Sequence, residues 1–362
     1  MPNSVPGHMS GVYLTGHGDF EQLQYRTDIP VPSPGRGEVL IRVAAAGVNN
    51  ADINTRIGWY AKSVRGATGE TAGTIAADNE SSWSGASLNF PRIQGLDCCG
   101  TIVTVGDGVD ASRIGERVLV RPLQSRNDSA DPCAFVTFGA EMDGAFAEYT
   151  KVESRQALRI NSGWSDVELA SVPCAYSTAE GMLTRANAGA ERILITGASG
   201  GVGSAAVQLA KRRGAEIIAV TTEAKAADVE ALGASRIVHR GDSLLSALGQ
   251  KSVDVVLDLV GGSQWPELCD VLKTGGRYVT SGAIAGPIVE LDLRTLYLKD
   301  LTFIGSTHQT DEIFMNLIAY IEREEIRPVV AGTYPLREIV RAQQDFLMKR
   351  HTGKLVLVPP PA

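Results

Sequence analysis

The chain is expected to fold as an α/β protein, a doubly wound parallel sheet preceded by a region of short strands. Three observations predict this. The run ILITGASGGVG (193–203) is a β-branched strand that ends in a glycine-rich turn. A helical stretch, SAAVQLAKRR (204–213), opens from the turn and stops at Gly214, and a second apolar strand follows at 217–221. Past residue 166 helical stretches alternate with apolar strands, the pattern of a parallel sheet covered by helices.

The strands of that second half are expected at 193–196, 217–221, 236–238, 253–259, 277–281 and 301–305. Two amphipathic helices, 311–323 and 336–349, and a last strand at 354–358 complete it. The first 160 residues read differently. Apolar or β-branched runs at 12–14, 38–44, 100–105 and 117–120 are broken by glycine and proline, as in a β-rich domain.

The glycine turn has a chemical meaning. A pyrophosphate must come close to backbone N–H groups, and a Cβ would block it. The helix behind the turn adds its positive dipole end. Strand, turn, helix and strand together form the first half of a dinucleotide-binding βαβ unit of Rossmann type. Ser199, Gly200, Gly201, Val202 and Gly203 are therefore candidate cofactor-binding residues. The turn reads Ala-x-Gly-x-x-Gly at Ala198, Gly200 and Gly203, departing from the usual glycine at its first position.

Composition bounds the function. The 362 residues exceed one ordinary core, so two domains are expected. The net charge of −7 and the lack of a long basic run give no support for a nucleic-acid or anionic-membrane partner. No apolar stretch approaches the roughly 20 residues of a membrane span. The opening MPNSVPGHMSG lacks a charged n-region and an apolar h-region, so no secretory leader is expected. Five scattered cysteines, at 98, 99, 133, 174 and 269, suggest reduced thiols and a cytoplasmic setting.

The order of motifs resembles the medium-chain dehydrogenase/reductase superfamily, and within it the zinc-independent quinone oxidoreductase-like branch. The resemblance spans nearly the whole chain. Its markers are PxPGxGEVLIRV (32–43), AGVNNAD (46–52), RxGxY (56–60), GLD (95–97), RxGERV (113–118) and GAFAEY (144–149). YSTA (176–179), GGVG (200–203) and VDVVLDLVGG (253–262) continue the series. It implies a chaperonin-10-like, or GroES-like, β-barrel domain over 1–160, a Rossmann domain over 161–308, and a return to the first domain over 309–362. The active site would lie in the cleft between them.

The resemblance also locates the positions that bind catalytic zinc in the family's alcohol dehydrogenases. The first, a cysteine there, is Asn49 here. The second, a histidine, is Leu96, followed by Asp97. Only the third matches, at Cys174. Leucine cannot ligate and a neutral amide ligates poorly, so no catalytic metal is expected. The structural-zinc loop would need four close cysteines, and 123–141 holds only Cys133.

An acid normally ends the second Rossmann strand when NAD is bound. Thr221 stands there, leaving room for a 2′-phosphate. Lys225 resembles the lysine that pairs with this phosphate in quinone reductases, and Arg240 falls where a second contact is placed. NADPH is the expected cofactor; Glu223, two residues past the strand end, is the argument for NAD. Gly282 is expected to face the nicotinamide end.

Without a metal, a carbonyl must be polarised by hydrogen bonds, which suits a quinone or an α,β-unsaturated carbonyl. The resemblance puts Asn49, Asp52, Arg56 and Tyr60 near the cleft. Tyr60 is the expected hydrogen-bond or proton donor, with water as the alternative source, and Asn49 a positioning donor. Asp52 and Arg56 are expected to pair and hold the segment. An alcohol or ketone dehydrogenase with an unusual metal site, and a non-catalytic NADPH-binding protein, remain as alternative readings. Two insertions stand out, 62–91 and 123–141. The first is expected to line or cover the substrate mouth, with Trp83 as a stacking surface. The edge strand near 302–307 is expected to pair in a homodimer.

Overall fold

A computed structural model describes residues 5–70, 82–126, 129–131 and 133–361. Six parallel strands form the Rossmann sheet. Their spatial order is Arg236–His239, Glu216–Thr221, Arg192–Ile195, Val253–Asp258, Leu272–Thr280 and Thr302–Gly305. The first strand in sequence, Arg192–Ile195, pairs on one side with Glu216–Thr221 and on the other with Val253–Asp258. The chain therefore reverses direction across the sheet at that strand, and a crevice opens at the carboxyl ends there.

The strands are apolar runs because both faces are covered. Ile193, Ile195, Ile217, Val255 and Leu257 enter one core beside the helices Pro173–Arg185 and Gly201–Arg212. Leu194, Ile218, Val220 and Val256 enter a second core on the opposite face with Trp265 and Leu268. A strand buried on both sides loses the hydrophobic–polar alternation of a half-exposed one.

The remaining large sheet is mostly antiparallel. Glu38–Gly47 is its backbone, pairing with Cys99–Val105 and Tyr149–Glu153. Adjacent cysteines at the start of Cys99–Val105 diverge as alternation requires: Cys98 packs in the β-domain core, Cys99 in the core beneath the Rossmann sheet. The last strand, Lys354–Val358, joins this sheet by pairing Val356 with Gly47 and Leu357 with Ala46. Its entry is tied to the glycine turn, because Gly353 N–H donates to Ser199 O at 2.9 Å.

Several boundaries differ from expectation. The helix after the glycine turn begins at Gly201 rather than Ser204, so Gly203 lies inside its first turn. The fifth Rossmann strand runs back to Leu272, and the final helix is confined to Ile339–Leu347. The insertion 123–141 carries a short hairpin, Leu123–Ser125 against Phe135–Thr137. Of the insertion 62–91, residues 71–81 lie outside the described residues.

Candidate active site

The cleft joins three structures: a dinucleotide cradle, a buried polar cluster and an apolar wall. The cradle follows from close approach of backbone to backbone. A Cβ on Gly203 would stand 2.1 Å from Gly197 O, so the helix could not dock on its strand with any other residue there. Gly200 caps the helix Gly201–Arg212. The first-turn N–H groups of Gly201 and Val202 have no intrahelical acceptors, which suits a phosphate. At the end of the neighbouring strand Thr221 is buried, and its hydroxyl has no hydrogen-bond partner among the described residues. Gly282 lies against Leu259 at the ends of the two strands beyond the crevice. These features fit a dinucleotide: a turn whose Gly203 admits no side chain, donors at a helix end, and an orphaned hydroxyl.

Lys225 and Arg240 do come together. Arg240 N–H donates to Thr221 O at 2.7 Å. Desolvation, and then repulsion from Arg240, hold the Lys225 ammonium below the ordinary lysine range. Lys225 Nζ donates to Lys349 O at 2.6 Å, which draws in a residue the sequence reading did not single out. The Lys349 ammonium sits 3.8 Å from the Phe346 ring centroid, and desolvation and Lys225 push it down to about 7. Burial and these lysines also push His351 down to about 4. Asp228 and Asp345 are the acids that partly offset this cationic corner. Glu223 is exposed on the turn Glu223–Lys225.

The polar cluster is organised by Lys354. Its stem lies against Gly201, where a Cβ would meet Lys354 Cδ at 2.7 Å. Its Nζ then donates to Asn49 Oδ1 at 2.5 Å, Asp97 Oδ2 at 2.8 Å and Val48 O at 2.9 Å. Both members of the ion pair are buried, at 3% and 0% side-chain exposure. Asp97 is further satisfied by Asn49 Nδ2 at 2.8 Å and by the Cys174 N–H at 2.6 Å, near the N-terminus of Pro173–Arg185. Three charge-assisted or helix-end contacts thus hold one carboxylate. Neither Lys354 nor this role for Asp97 was legible from spacing; Lys354 read only as the first residue of a strand.

Asp52 and Arg56 do not pair, contrary to expectation. Asp52 turns back on its own helix and accepts the Asn49 N–H at 2.8 Å. Arg56 leaves by another face, donating to Gln343 Oε1 at 3.0 Å and Gly18 O at 2.8 Å. Asp52 is the third residue of the helix Asn50–Arg56, the capping-box position, where a carboxyl turns back to the free N–H at the helix start. Burial pushes the Asp52 carboxyl up to about 7, with Asp97 adding to this and the Asn49 N–H and Lys354 opposing it. Tyr60 faces the same centre. Burial raises its phenol well above the ordinary range, while Asn54 hydrogen-bonds it and Cys174 and Asp52 raise it further. Asn54 Oδ1 accepts from Thr68 Oγ1 at 3.1 Å, and Thr68 N–H reaches Ile284 O across the cleft at 3.1 Å.

The apolar wall is formed by Ala51, Leu96 and Cys174, with the half-buried Trp83 packed on them. Burial, and then Asp97, raise the Cys174 thiol, so it is protonated at neutral pH. Among the described residues no three of His, Cys, Asp and Glu gather as a metal-ligating group.

Comparison with known proteins agrees with this architecture. Residues 35–162 match the family of alcohol dehydrogenase GroES-like domains, and residues 201–323 match the family of zinc-binding dehydrogenases. A crystal structure from Sinorhizobium meliloti, solved under the provisional description of an alcohol dehydrogenase, is 45% identical with a TM-score of 0.90. It covers 99% of this chain, which spans 98% of it. Acryloyl-coenzyme A reductase of Metallosphaera sedula is 29% identical over 361 residues, covering 96% of this chain and 99% of its own. Human quinone oxidoreductase is 27% identical over 366 residues, with coverage of 97% and 98%. The chain belongs to the medium-chain dehydrogenase/reductase superfamily, in its quinone oxidoreductase-like branch. It is an oxidoreductase that uses a nicotinamide cofactor.

Two predictions arise from the polar cluster. Lys354→Met leaves the Asp97 carboxylate buried without its cation and should cost about 3–5 kcal/mol in denaturant unfolding; adding Asp97→Asn should recover much of this. For Asp52 the carboxyl is raised on folding. Its contribution to stability is therefore complete below the unfolded carboxylate range and lost as pH climbs through about 7. Unfolding measured from pH 4 to 8 should show wild type losing stability relative to Asp52→Asn over that window. A difference that stays flat with pH would contradict it.

Proposed function

We propose that the protein is an NADPH-dependent, zinc-independent reductase of quinones or α,β-unsaturated carbonyls. The observation that carries this reading is the chemistry at the three family zinc positions. Asn49 is engaged by a buried ammonium, Leu96 is apolar, and Cys174 is a protonated thiol under an indole. A fixed cation already neutralises the nearby carboxylate, so the donor set suits hydrogen bonding rather than metal ligation.

The cofactor, when bound, supplies the hydride. The chain's own residues bind, orient and protonate. The glycine turn and the start of Gly201–Arg212 would hold the pyrophosphate, and Thr221, Lys225, Arg240 and Lys349 would meet the ribose phosphate that distinguishes NADPH. Lys354 connects this cradle to the reacting end, because one side chain touches both Gly201 and Asn49. Tyr60 is kept as a neutral phenol by burial and directed by Asn54, so it donates to the substrate oxygen as negative charge develops there. Asp52, with its carboxyl near neutrality, lies close enough to perturb Tyr60 and is a second proton-holding group. Asn49 donates through its amide nitrogen to Asp97 Oδ2 at 2.8 Å and, at 3.5 Å, to Gly47 O, so it positions the buried ion pair rather than the substrate. Reduction of a conjugated carbonyl takes one hydride and one proton, which this arrangement supplies without a Lewis acid. The acryloyl-coenzyme A and quinone reductases among the relatives support the same substrate class.

Metal-stripped enzyme should oxidise NADPH with benzoquinone or a simple enone as acceptor. Lys225→Ala should raise the NADPH Michaelis constant by about 10-fold or more, with a smaller effect on NADH. Turnover that disappears on chelation and returns only with zinc would overturn the reading in favour of a metal-dependent dehydrogenase.

The protein is also proposed to act as a homodimer. Ile288, Val289, Leu291, Leu293, Tyr297 and Leu298 expose apolar surface near the edge strand Thr302–Gly305. Sedimentation velocity should give a dimer that Leu298→Glu dissociates; a monomer at micromolar concentration would refute it.

A further inference from the structure

Both insertions meet at one point, and the meeting presents a single side chain to the candidate site. Ser82 to Gly85 form a tight turn, with Gly85 N–H donating to Ser82 O at 3.1 Å. Within it the Ser82 and Ser84 hydroxyls lie 3.1 Å apart. Ser84 Oγ then donates to Glu141 Oε1 at 2.7 Å. The other oxygen of Glu141 accepts the Thr137 N–H at 2.5 Å, at the end of the hairpin that the second insertion forms. A carboxylate fixed by a backbone donor on one side and a hydroxyl on the other is a rigid clamp. What it holds is Trp83, whose ring packs on Ala51, Leu96 and Cys174.

That position matters because of its neighbours. Ala51 precedes Asp52 on the short helix, and Cys174 is close enough to Tyr60 to perturb its phenol. The indole therefore borders the place where the proposed donor acts. Tryptophan brings a large, stiff surface with only two side-chain torsions, and here it packs on three apolar residues. Turn and clamp together leave it little freedom to swing aside.

We infer that Trp83 is the end wall of the substrate pocket and sets the length of substituent accepted at the unsaturated carbon, and that Glu141 is the positioning residue that holds this wall. The inference rests on the reductase reading and adds a size limit to it: short unsaturated carbonyl compounds, with small β-substituents, are the preferred substrates. A hydrophobic wall discriminates by about 10- to 200-fold per misfitted group, so removing it has a measurable signature.

The test uses NADPH-loaded enzyme with methyl vinyl ketone and its β-alkyl homologues up to a pentyl chain. Trp83→Ala should raise the ratio of kcat/KM for the longest over the shortest by about 10-fold or more. Glu141→Ala should shift the ratio the same way by less, and Trp83→Phe should keep a profile close to wild type. The NADPH Michaelis constant should not change in any of them. A second series, saturated methyl ketones of the same lengths titrated calorimetrically into NADP-loaded enzyme, reads the wall without turnover. Here Trp83→Ala should tighten the long ketones selectively.

The outcomes separate the two claims. Reduction of the enones with an identical length profile in folded Trp83→Ala overturns the wall and leaves the reductase reading standing. No reduction by wild type, with long ketones still tightened by Trp83→Ala, overturns the reaction and supports the wall. A variant that melts early but has an unchanged length profile assigns Trp83 a purely structural part, which also overturns the inference.

Discussion

Burial of the Lys354 ammonium against Asp97 is the constraint on which the rest of the cleft depends. Two charges removed from water cost several kcal/mol each unless every hydrogen-bonding position is filled. Here the filling is done by groups that function would also require in place. Lys354 donates to Asn49 and Val48, and Asp97 accepts from Asn49 and the Cys174 N–H. The pair thus fixes the start of the helix Asn50–Arg56, the start of Pro173–Arg185 and the entrance to the last strand at once. Because the stem of Lys354 crosses Gly201, the glycine turn is tied to the same point.

Electrostatics around that point divide the cleft into two regions. Beyond the glycine turn, Lys225, Arg240 and Lys349 bring three basic side chains together with few acids to meet them. That surplus is costly in isolation, and an anion held there would relieve it. On the other side, burial keeps Tyr60 and Cys174 neutral and brings Asp52 to about 7. Burial thus keeps these groups uncharged beside a fixed ion pair, where a phenol or a carboxyl that retains its proton can donate a hydrogen bond without rearranging the charges around it.

The two insertions add a third element, the apolar wall under Trp83. Their residues carry little periodic pattern, and the contact that joins them, Ser84 to Glu141, spans 57 positions in sequence. A pairing of that kind has no local signature, since neither residue type prefers the other at any spacing. The pairing expected of Asp52 and Arg56 failed for the opposite reason. Their spacing on a helix was suitable, but free N–H groups at the helix start competed for the acid and won.

The Rossmann half was legible because its signals are local. A β-branched run, glycines that must lack a Cβ, and an amphipathic helix each impose geometry within a few residues, and Gly203 against Gly197 is the clearest case. Motif order was enough to place the chain in its superfamily and to bring Tyr60, Asn49 and Asp52 to one neighbourhood. Only the folded chain decided what those residues touch. Lys354 lies 305 positions from Asn49 and 257 from Asp97, and it reaches them because the last strand returns to pair with Glu38–Gly47. Sequence by itself determined the fold class and the dinucleotide turn, where backbone sterics act over short range. Tertiary structure decided the buried ion pair, the cationic corner at Lys349 and the clamp on Trp83, because burial and charge pairing are properties of surroundings assembled from distant parts of the chain.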